Sequence, residues 1–176
     1  MSKGIILYQS KYGATKKYAH WVKEATGYEC IETQKANLKE VQEYDVIILG
    51  GGVYASGVLG LSFLKKNIDS LRGKKIAVFC VAASPYDEKA YNQLRELHFK
   101  DNMKDIPTFH CRGAWDLDNM SFTDRALCKM LQKVVAKQDP STYEPWQKAL
   151  AEAGTQKCDW TDKKYLDELL EYIKSE

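Results

Sequence analysis

Features that mark several protein classes are missing from this chain of 176 residues. With only 4 prolines and 11 glycines, it has little room for a flexible low-complexity linker. Its apolar runs fall short of the roughly 18–20 residues that a membrane-spanning helix requires. Residues 1–4 lead directly into an apolar segment, without the basic and hydrophobic regions of a signal peptide. We therefore expect a soluble, cytoplasmic protein without a transmembrane segment.

The cysteines and histidines lack the spacing of disulfide frameworks and zinc sites. The five cysteines form no C-x-x-C pair, and the three histidines are not at zinc-ligand spacing. We expect reduced thiols and no metal site. The net charge of +2, from 26 basic and 24 acidic residues, is too small to indicate nucleic-acid binding. The same value excludes a strongly acidic protein whose negative charge attracts basic partners.

Two periodicities alternate along the chain and together predict the fold. Short apolar runs predict strands at residues 5–8, 28–32, 46–49, 76–83 and 106–113. Helical spacing of apolar residues predicts helices at residues 14–26, 38–44, 61–70, 88–100 and 161–174, the last with Thr161 as its N-cap. Alternating strands and helices predict an α/β fold, a doubly wound five-stranded parallel sheet with the order 2-1-3-4-5.

An insertion of about 45 residues separates the fifth strand from the last helix, where 2–6 residues are usual. Within it, residues 122–137 are predicted to be helical, with one apolar stripe formed by Leu127, Met130, Leu131, Val134 and Val135. A second stripe consists of lysines spaced by four, Lys129, Lys133 and Lys137. These lysines either contact lipid headgroups or an anionic substrate, which leaves peripheral membrane contact open, or are simply solvated. Residues 143–153 are predicted as a further short helix. We interpret residues 1–176 as a single domain with an insertion at about 115–160.

Ligands of open parallel sheets bind outside the carboxyl ends of the strands, where the strand order reverses. For the predicted order, this crevice lies between the first and third strands. The segments at residues 9–15, 50–60 and 84–89 should therefore meet there.

The loop after the first strand has the composition of a phosphate cradle. It leads directly into a helix and comprises Ser10, Lys11, Tyr12, Gly13, Ala14 and Thr15. A helix start offers unpaired amides and a positive dipole end, to which Ser10 and Thr15 add hydroxyl donors. Gly13 permits the close approach or unusual dihedral angles of such a cradle. The alternative is an ordinary turn with Thr15 as the helix cap.

A glycine-rich segment, residues 50–57, is interpreted as a long loop after the third strand. Its glycines would let the main chain pass close to a flat ligand on which Tyr54 stacks. The alternative is a flexible connector whose Tyr54 covers the sheet. The segment satisfies the dinucleotide pattern G-x-G-x-x-A, but it follows the third strand. The next strand ends at Ser84 without the acid that would hold a ribose, which excludes a dinucleotide site.

Three other enzyme and signalling classes are also excluded. The P-loop pattern G-x-x-x-x-G-K-[ST] is absent. The third strand ends in Leu49-Gly50, without the acidic residue of a phosphoacceptor receiver. Nothing resembles the nucleophile elbow G-x-S-x-G.

The three loops together resemble the flavodoxin family, and the resemblance covers the whole chain. They are the Ser10-x-x-Gly13-x-Thr15 motif, the glycine and aromatic loop after the third strand, and a loop after the fourth strand. The tail is similar to the quinone-dependent protoporphyrinogen dehydrogenase branch. Its matching stretches are Arg112-Gly113-Ala114, then Phe122-Thr123-Asp124-Arg125 opening a helix with periodic lysines, and Asp159-Trp160-Thr161 before the last helix.

The resemblance implies FMN as the cofactor of a redox flavoprotein. The phosphate would take the amides and hydroxyls of residues 10–15. The isoalloxazine ring would lie between two loops, one with Gly52, Val53, Tyr54 and Ala55 and the other with Ser84, Pro85, Tyr86 and Asp87. Tyr54 and Tyr86 are the expected stacking residues, with Trp115 as a third candidate. Lys11 departs from the small polar residue that is common in the cradle of this family, and it would partly offset the phosphate charge.

The resemblance leaves three functions open. The first is electron transfer through FMN to a redox partner protein, although carrier flavodoxins are usually acidic and this chain has a net charge of +2. The second is a quinone-dependent dehydrogenase of a porphyrinogen or similar substrate, although Asp116 and Asp118 stand where that branch carries basic residues. The third is a flavin-free interaction module. The sequence predicts no specific catalytic residue.

Overall fold

The computed structural model describes residues 2–175. Its strands are β1 (Gly4–Gln9), β2 (Glu29–Glu32), β3 (Val46–Tyr54), β4 (Gly57–Val58), β5 (Lys75–Ala82), β6 (Thr108–Arg112), β7 (Ala114–Trp115) and β8 (Cys158–Asp159). Its α-helices are α1 (Ala14–Thr26), α2 (Leu38–Val41), α3 (Leu61–Asn67), α4 (Glu88–His98), α5 (Phe122–Ala136), α6 (Pro145–Ala153) and α7 (Asp167–Lys174). Short 3-10 helices occupy several connections, and one of them, Lys163–Leu166, leads directly into α7.

A parallel sheet in the order β2-β1-β3-β5-β6 forms the centre of the fold. The predicted order 2-1-3-4-5 is confirmed, because β5 and β6 are the fourth and fifth strands of this sheet. β4 pairs antiparallel with the end of β3 and forms a hairpin with it. The fold is an α/β fold of the flavodoxin type.

The strands separate two cores because successive side chains point to opposite faces of the sheet. On one face, Ile5 and Leu7 pack with residues of α2 and α3, such as Leu64. On the other face, Ile6 packs with α1 and α7 through residues such as Tyr18. Since both faces are covered, the central strands are apolar throughout, as the uninterrupted runs of the sequence indicate.

The glycine-rich segment forms the end of a strand, which corrects the predicted loop at residues 50–57. Gly50 and Gly51 pair with β1 and β5 on both sides. Glycine disfavours strands in isolation, but here a Cβ on Gly50 would overlap the ring of Phe79, and one on Gly51 would overlap the carbonyl oxygen of Leu59. The neighbouring strands therefore decide the conformation, and β3 continues to Tyr54.

The last helix begins later than predicted. Thr161 is not its N-cap, because its amide and hydroxyl donate hydrogen bonds to the Asp159 carboxylate at 3.0 and 2.6 Å. The Asp162 carboxylate instead accepts a hydrogen bond from the Lys164 amide at 3.0 Å, at the start of the 3-10 helix. The sequence pattern located the helix but not its first turn.

The insertion packs around a core of its own. This core consists of Trp115, Leu117, Val135, Leu150 and Ala153, and the β7–β8 pair closes it. The two predicted helices are present as α5 and α6, but the single apolar stripe is not. Leu131 and Val135 face the core, whereas Leu127, Met130 and Val134 are exposed.

Across residues 2–175, no helix combines the length and the apolar character needed to span a membrane.

Tyr18 joins α1 to the two ends of the insertion. Its buried hydroxyl donates a hydrogen bond to the Arg112 carbonyl at 2.6 Å and accepts one from the Asp162 amide at 3.1 Å. We expect Tyr18→Phe to lower the free energy of unfolding by about 1–3 kcal/mol, because both backbone groups lose their partner in a buried position. Urea unfolding measures this loss. Tyr165→Phe is the control, since the Tyr165 hydroxyl makes no hydrogen bond within residues 2–175; an equal loss in both variants would contradict the role of Tyr18.

Candidate functional site

The carboxyl ends of β1, β3 and β5 bring the three predicted segments to one edge of the sheet. β1 pairs with β3 as far as Gln9 and Gly51, so the loop at residues 10–13 lies beside the end of β3. β5 pairs with β3 as far as Val81 and Gly52, and residues 83–87 follow on that side. The strand order reverses between β1 and β3, and open α/β sheets bind their ligands at such a reversal.

The loop before α1, residues 10–13, leaves the first amides of that helix without a side-chain cap. The Ser10 hydroxyl accepts a hydrogen bond from the Gly13 amide at 3.0 Å. Gly13 has a left-handed φ of 103°, and a Cβ there would meet nothing within 4 Å, so the loop is open on that side. Thr15 is not the cap, since it lies inside the helix and is buried. The loop thus offers amides and the positive end of the helix dipole to an anion.

The insertion contacts this loop directly, which the sequence did not predict. The Tyr12 hydroxyl donates a hydrogen bond to the Asp124 carboxylate and accepts one from the Ser121 amide at 3.2 Å. The Lys11 ammonium forms an ion pair with the same carboxylate. Its hydrogen bonds from Lys11 and Tyr12 hold the pKa of Asp124 below its usual range, so the group is a carboxylate at neutral pH.

Tyr54 lies beside the loop at residues 10–13. Its ring meets the Tyr12 ring edge to face, with centroids 6.2 Å apart, and the Lys11 ammonium lies 5.4 Å from its centroid. A Cβ on Gly52 would approach the Tyr54 ring to 2.8 Å, so this glycine allows the ring to lie against the strand. Burial, and then the nearby Tyr12 and Asp124, raise the pKa of Tyr54 to about 12, which keeps the phenol protonated.

A cleft of about 980 Å³ opens on the other side of the β3–β4 hairpin. Its walls include residues from both predicted loops, namely Val53, Ala55, Ser56, Ser84, Pro85 and Asp87. α4 forms a further wall, Cys80, Ala82 and His110 lie at its base, and the insertion contributes Leu131, Glu144 and Trp146. The structure therefore brings the two loops together around one cavity of a size typical for small-molecule sites.

Two of the predicted loop residues have neighbours that the sequence did not indicate. Tyr86 is 55% exposed, and its ring packs against those of Tyr91 and His110 at 5.6 and 5.8 Å between centroids. Asp87 caps α4, because its carboxylate accepts a hydrogen bond from the Ala90 amide at 2.9 Å. The loop after β5 is thus held at both of these residues.

His110 is a residue at the cleft that the sequence interpretation missed. Its Nε2 is buried and has no hydrogen-bond partner within residues 2–175. Burial, and then the charge of Arg112, lower its pKa, so the imidazole is neutral at pH 7. Its position opposite Cys80 in the sheet brings it to the cleft, and the register could have indicated this only once the strand pairing was known.

The residues of the insertion at the site carried no sequence signal. Glu144, which begins α6, forms an ion pair with Lys89 of α4 at 2.9 Å across the cleft. Asp124 lies in the first turn of α5. Acidic residues at helix starts are common for structural reasons, so only the tertiary contacts distinguish these two.

The β3–β4 hairpin is strained at its tip. Ala55 and Ser56 have positive φ angles of 46° and 64°, which L residues with a side chain adopt at a cost of about 1–2 kcal/mol each. His98 holds this conformation through a hydrogen bond between its Nε2 and the Ser56 carbonyl oxygen, and Lys65 donates to its Nδ1 at 3.2 Å. Strained backbone of this kind is frequent where a loop contacts a ligand.

We expect Ser56→Gly to raise the free energy of unfolding by about 1 kcal/mol, since glycine adopts a positive φ without strain. Urea unfolding is the measurement. Ser70→Gly, in a 3-10 helix without a positive φ, should instead lower it by about 0.5–1 kcal/mol. If both substitutions destabilise the protein equally, the hairpin stores no strain.

Comparison with known protein families identifies a flavodoxin domain in this chain. A sequence model of the flavodoxin domain matches residues 5–142. Among curated proteins, no sequence matched the chain.

Solved structures that are similar include two flavodoxins and a flavoprotein. The solution structure of two-electron reduced Megasphaera elsdenii flavodoxin is 25% identical over 61% of this chain and 84% of that one, with a TM-score of 0.45. A flavoprotein in complex with FMN from Lactobacillus acidophilus is 20% identical over 64% of this chain and 93% of that one, with a TM-score of 0.44. The Streptococcus pneumoniae flavodoxin is 19% identical over 63% and 83%, with a TM-score of 0.46. Because the domain match spans most of the chain, this protein belongs to the flavodoxin domain family.

Proposed function

We propose that this protein binds FMN and transfers electrons through it. The observation that carries the proposal is that one edge of the sheet holds both features. The uncapped start of α1 lies beside the end of β3, where the strand order reverses, and the cleft lies on the β5 side of the β3–β4 hairpin. This arrangement offers an apolar cavity for a ring and an anion site for a phosphate at one edge of the sheet. Membership of the flavodoxin domain family supports the same assignment.

The loop at residues 10–13 fits the phosphate end of FMN. The first amides of α1 supply donors, the Ser10 hydroxyl lies at the same loop, and the open side at Gly13 leaves room for an anion. Lys11 adds a positive charge. The Thr15 side chain is buried, with its hydroxyl beside Gly52, so we assign the surface-facing hydroxyl of the loop to Ser10.

The cleft fits the ring end. When bound, FMN supplies an isoalloxazine ring that takes up and releases electrons. Val53 and Ala55 would contact the ring from one loop and Pro85 from the other. The protonated Tyr54 phenol forms the border between the ring site and the phosphate site.

The charges around the cleft bear on the potential of a bound ring. Asp87, Glu96 and Glu144 line it, against the single cation Lys89 among the lining residues. An excess of carboxylates disfavours the addition of negative charge to the ring.

We also propose a cytoplasmic location, where all five cysteines would stay reduced, as they are free in the structure.

Flavin titration tests the proposal, and Tyr54 provides the specific variant. We expect the purified protein to take up one FMN per chain and Tyr54→Ala to weaken this binding by about two- to thirteenfold, because an aromatic contact of about 0.5–1.5 kcal/mol at the border of the ring site is lost. The change in the visible spectrum and the fluorescence quenching of FMN measure both. Tyr54→Phe retains the ring and should bind as the wild type does.

A colourless protein that neither carries flavin nor quenches added FMN would refute the proposal. That result would favour a flavin-free interaction module of the same fold. If flavin binds but Tyr54→Ala leaves affinity and spectrum unchanged, the role of Tyr54 is refuted and the function is retained.

The insertion favours a second candidate, an oxidoreductase that acts directly on a small substrate. Leu131 and Trp146 extend the wall of the cleft beyond the two loops, so a second planar molecule would have apolar surface there. The protoporphyrinogen dehydrogenase branch, which the tail resembles, is the specific form of this candidate; the family match is to the flavodoxin domain alone. The substrate would be a porphyrinogen and the acceptor a quinone.

An anaerobic assay with protoporphyrinogen and a quinone separates the two candidates. An enzyme of this class turns over, and Trp146→Ala should lower the rate while FMN stays bound. A protein that only carries electrons to a redox partner shows no turnover in the same assay, although it is reduced by dithionite.

A further inference from the structure

The start of α5 is held against the loop at residues 10–13 by a small polar cluster. Asp124 is its centre, since its carboxylate takes the hydrogen bond of the Tyr12 hydroxyl and the ion pair of Lys11. Ser121 adds two contacts: its amide donates to the Tyr12 hydroxyl at 3.2 Å, and its hydroxyl accepts from the Asp124 amide at 3.2 Å. These contacts connect two parts of the chain more than 100 positions apart in sequence.

The Asp124 carboxylate therefore contacts the same loop side chains, Lys11 and Tyr12, that a bound phosphate would contact. Lys11 is the cation of this loop, and it is already paired with Asp124. Both side chains are partly exposed, at 42% for Lys11 and 23% for Asp124, so an anion from solvent reaches the pair. A phosphate and a carboxylate that share one cation repel each other.

The charge of Asp124 can be removed while the rest of its side chain is kept. As a residue of the first turn of α5 it interacts favourably with the helix dipole, and Ser121 caps this helix. An asparagine at this position keeps the size of the side chain and its acceptor oxygen but not the charge. The substitution therefore removes the electrostatic effect on the loop, while the Ser121 cap still holds the start of α5.

We propose that Asp124 is a specificity-determining residue of the flavin site, in that it competes with the flavin phosphate for Lys11 and Tyr12. The competition lowers the preference of the site for FMN over riboflavin, which has the same ring and no phosphate. Binding of the phosphate in turn releases the start of α5 from the loop. The inference rests on the proposed function, because it concerns the phosphate end of the same site.

Parallel titrations of FMN and riboflavin into wild-type protein and Asp124→Asn test the inference. We expect Asp124→Asn to bind FMN about tenfold more tightly, the size of one unscreened like-charge interaction at a partly exposed site. Its affinity for riboflavin should equal that of the wild type, because riboflavin brings no anion to the loop. Raising the salt concentration should shrink the difference in FMN affinity between the two proteins.

Two further variants serve as comparisons. Glu152→Gln removes one negative charge from α6 of the same insertion and should leave both affinities unchanged. Tyr12→Phe removes a donor for which Asp124 and the phosphate compete and leaves Lys11 paired with Asp124, so it should not tighten FMN binding.

Hydrogen exchange gives an independent readout on the wild-type chain. FMN should increase amide exchange in the first turn of α5, and riboflavin should not. Unchanged or weakened FMN binding in Asp124→Asn, or an equal shift for both flavins, would overturn the inference while the proposed function stands. If wild-type protein binds neither flavin, the proposed function fails and the inference fails with it.

Discussion

The pairing of β3 with β1 on one side and β5 on the other is the constraint on which the rest of the structure depends. This pairing continues through Gly50 and Gly51, where the absence of side chains makes room for Phe79 and for the main chain at Leu59. As a result β3 extends past its apolar run and carries the hairpin to the edge of the sheet. The same pairing sets the loop before α1 beside Gly52. Both halves of the site therefore follow from one strand and its two neighbours.

The insertion packs against this framework as a folded unit. Its own core fixes α5 and α6, and the Tyr18 hydroxyl ties its two ends to α1. From this position α5 reaches the loop before α1 through Asp124, and α6 reaches α4 through Glu144. One added element thus contacts both the loop before α1 and the cleft. A displacement of either α5 or α6 would therefore be transmitted through the core that they share, because close-packed interiors transmit strain.

The electrostatics of the site divide at Tyr54. On one side lie the amides of α1 and Lys11, which favour an anion. On the other side lies the cleft, which has more carboxylates than cations among its lining residues. His110 also lines it, and its imidazole is neutral because its pKa is lowered. The Tyr54 phenol between them stays protonated because burial and the nearby Asp124 disfavour its ionisation. The hairpin that carries Tyr54 is strained, so the surrounding contacts, above all His98 with Ser56, are required to hold it.

Much of this architecture could be predicted, because it depends on local patterns. Apolar periodicity located the strands and most helices, and the alternation of elements predicted the sheet order. The position of residues 10–15, 50–57 and 84–89 after the strands predicted that these segments would lie at one edge of the sheet. The predicted loop at residues 50–57 was wrong in its first half, because strand formation there depends on two neighbouring strands rather than on glycine itself. The start of the last helix was wrong for a similar reason, since Asp159 takes the donors of Thr161.

The sequence by itself determined the class of fold and the edge of the sheet at which the three segments meet, because apolar periodicity is a local property and right-handed crossovers leave few strand orders. Only the tertiary structure decided that Asp124 pairs with Lys11, that Tyr54 lies on the loop side of the hairpin rather than in the cleft, and that His110 and Glu144 face the cavity. These contacts join residues far apart in the chain. Their formation depends on how the insertion packs against the sheet, and no local pattern in the sequence encodes that geometry.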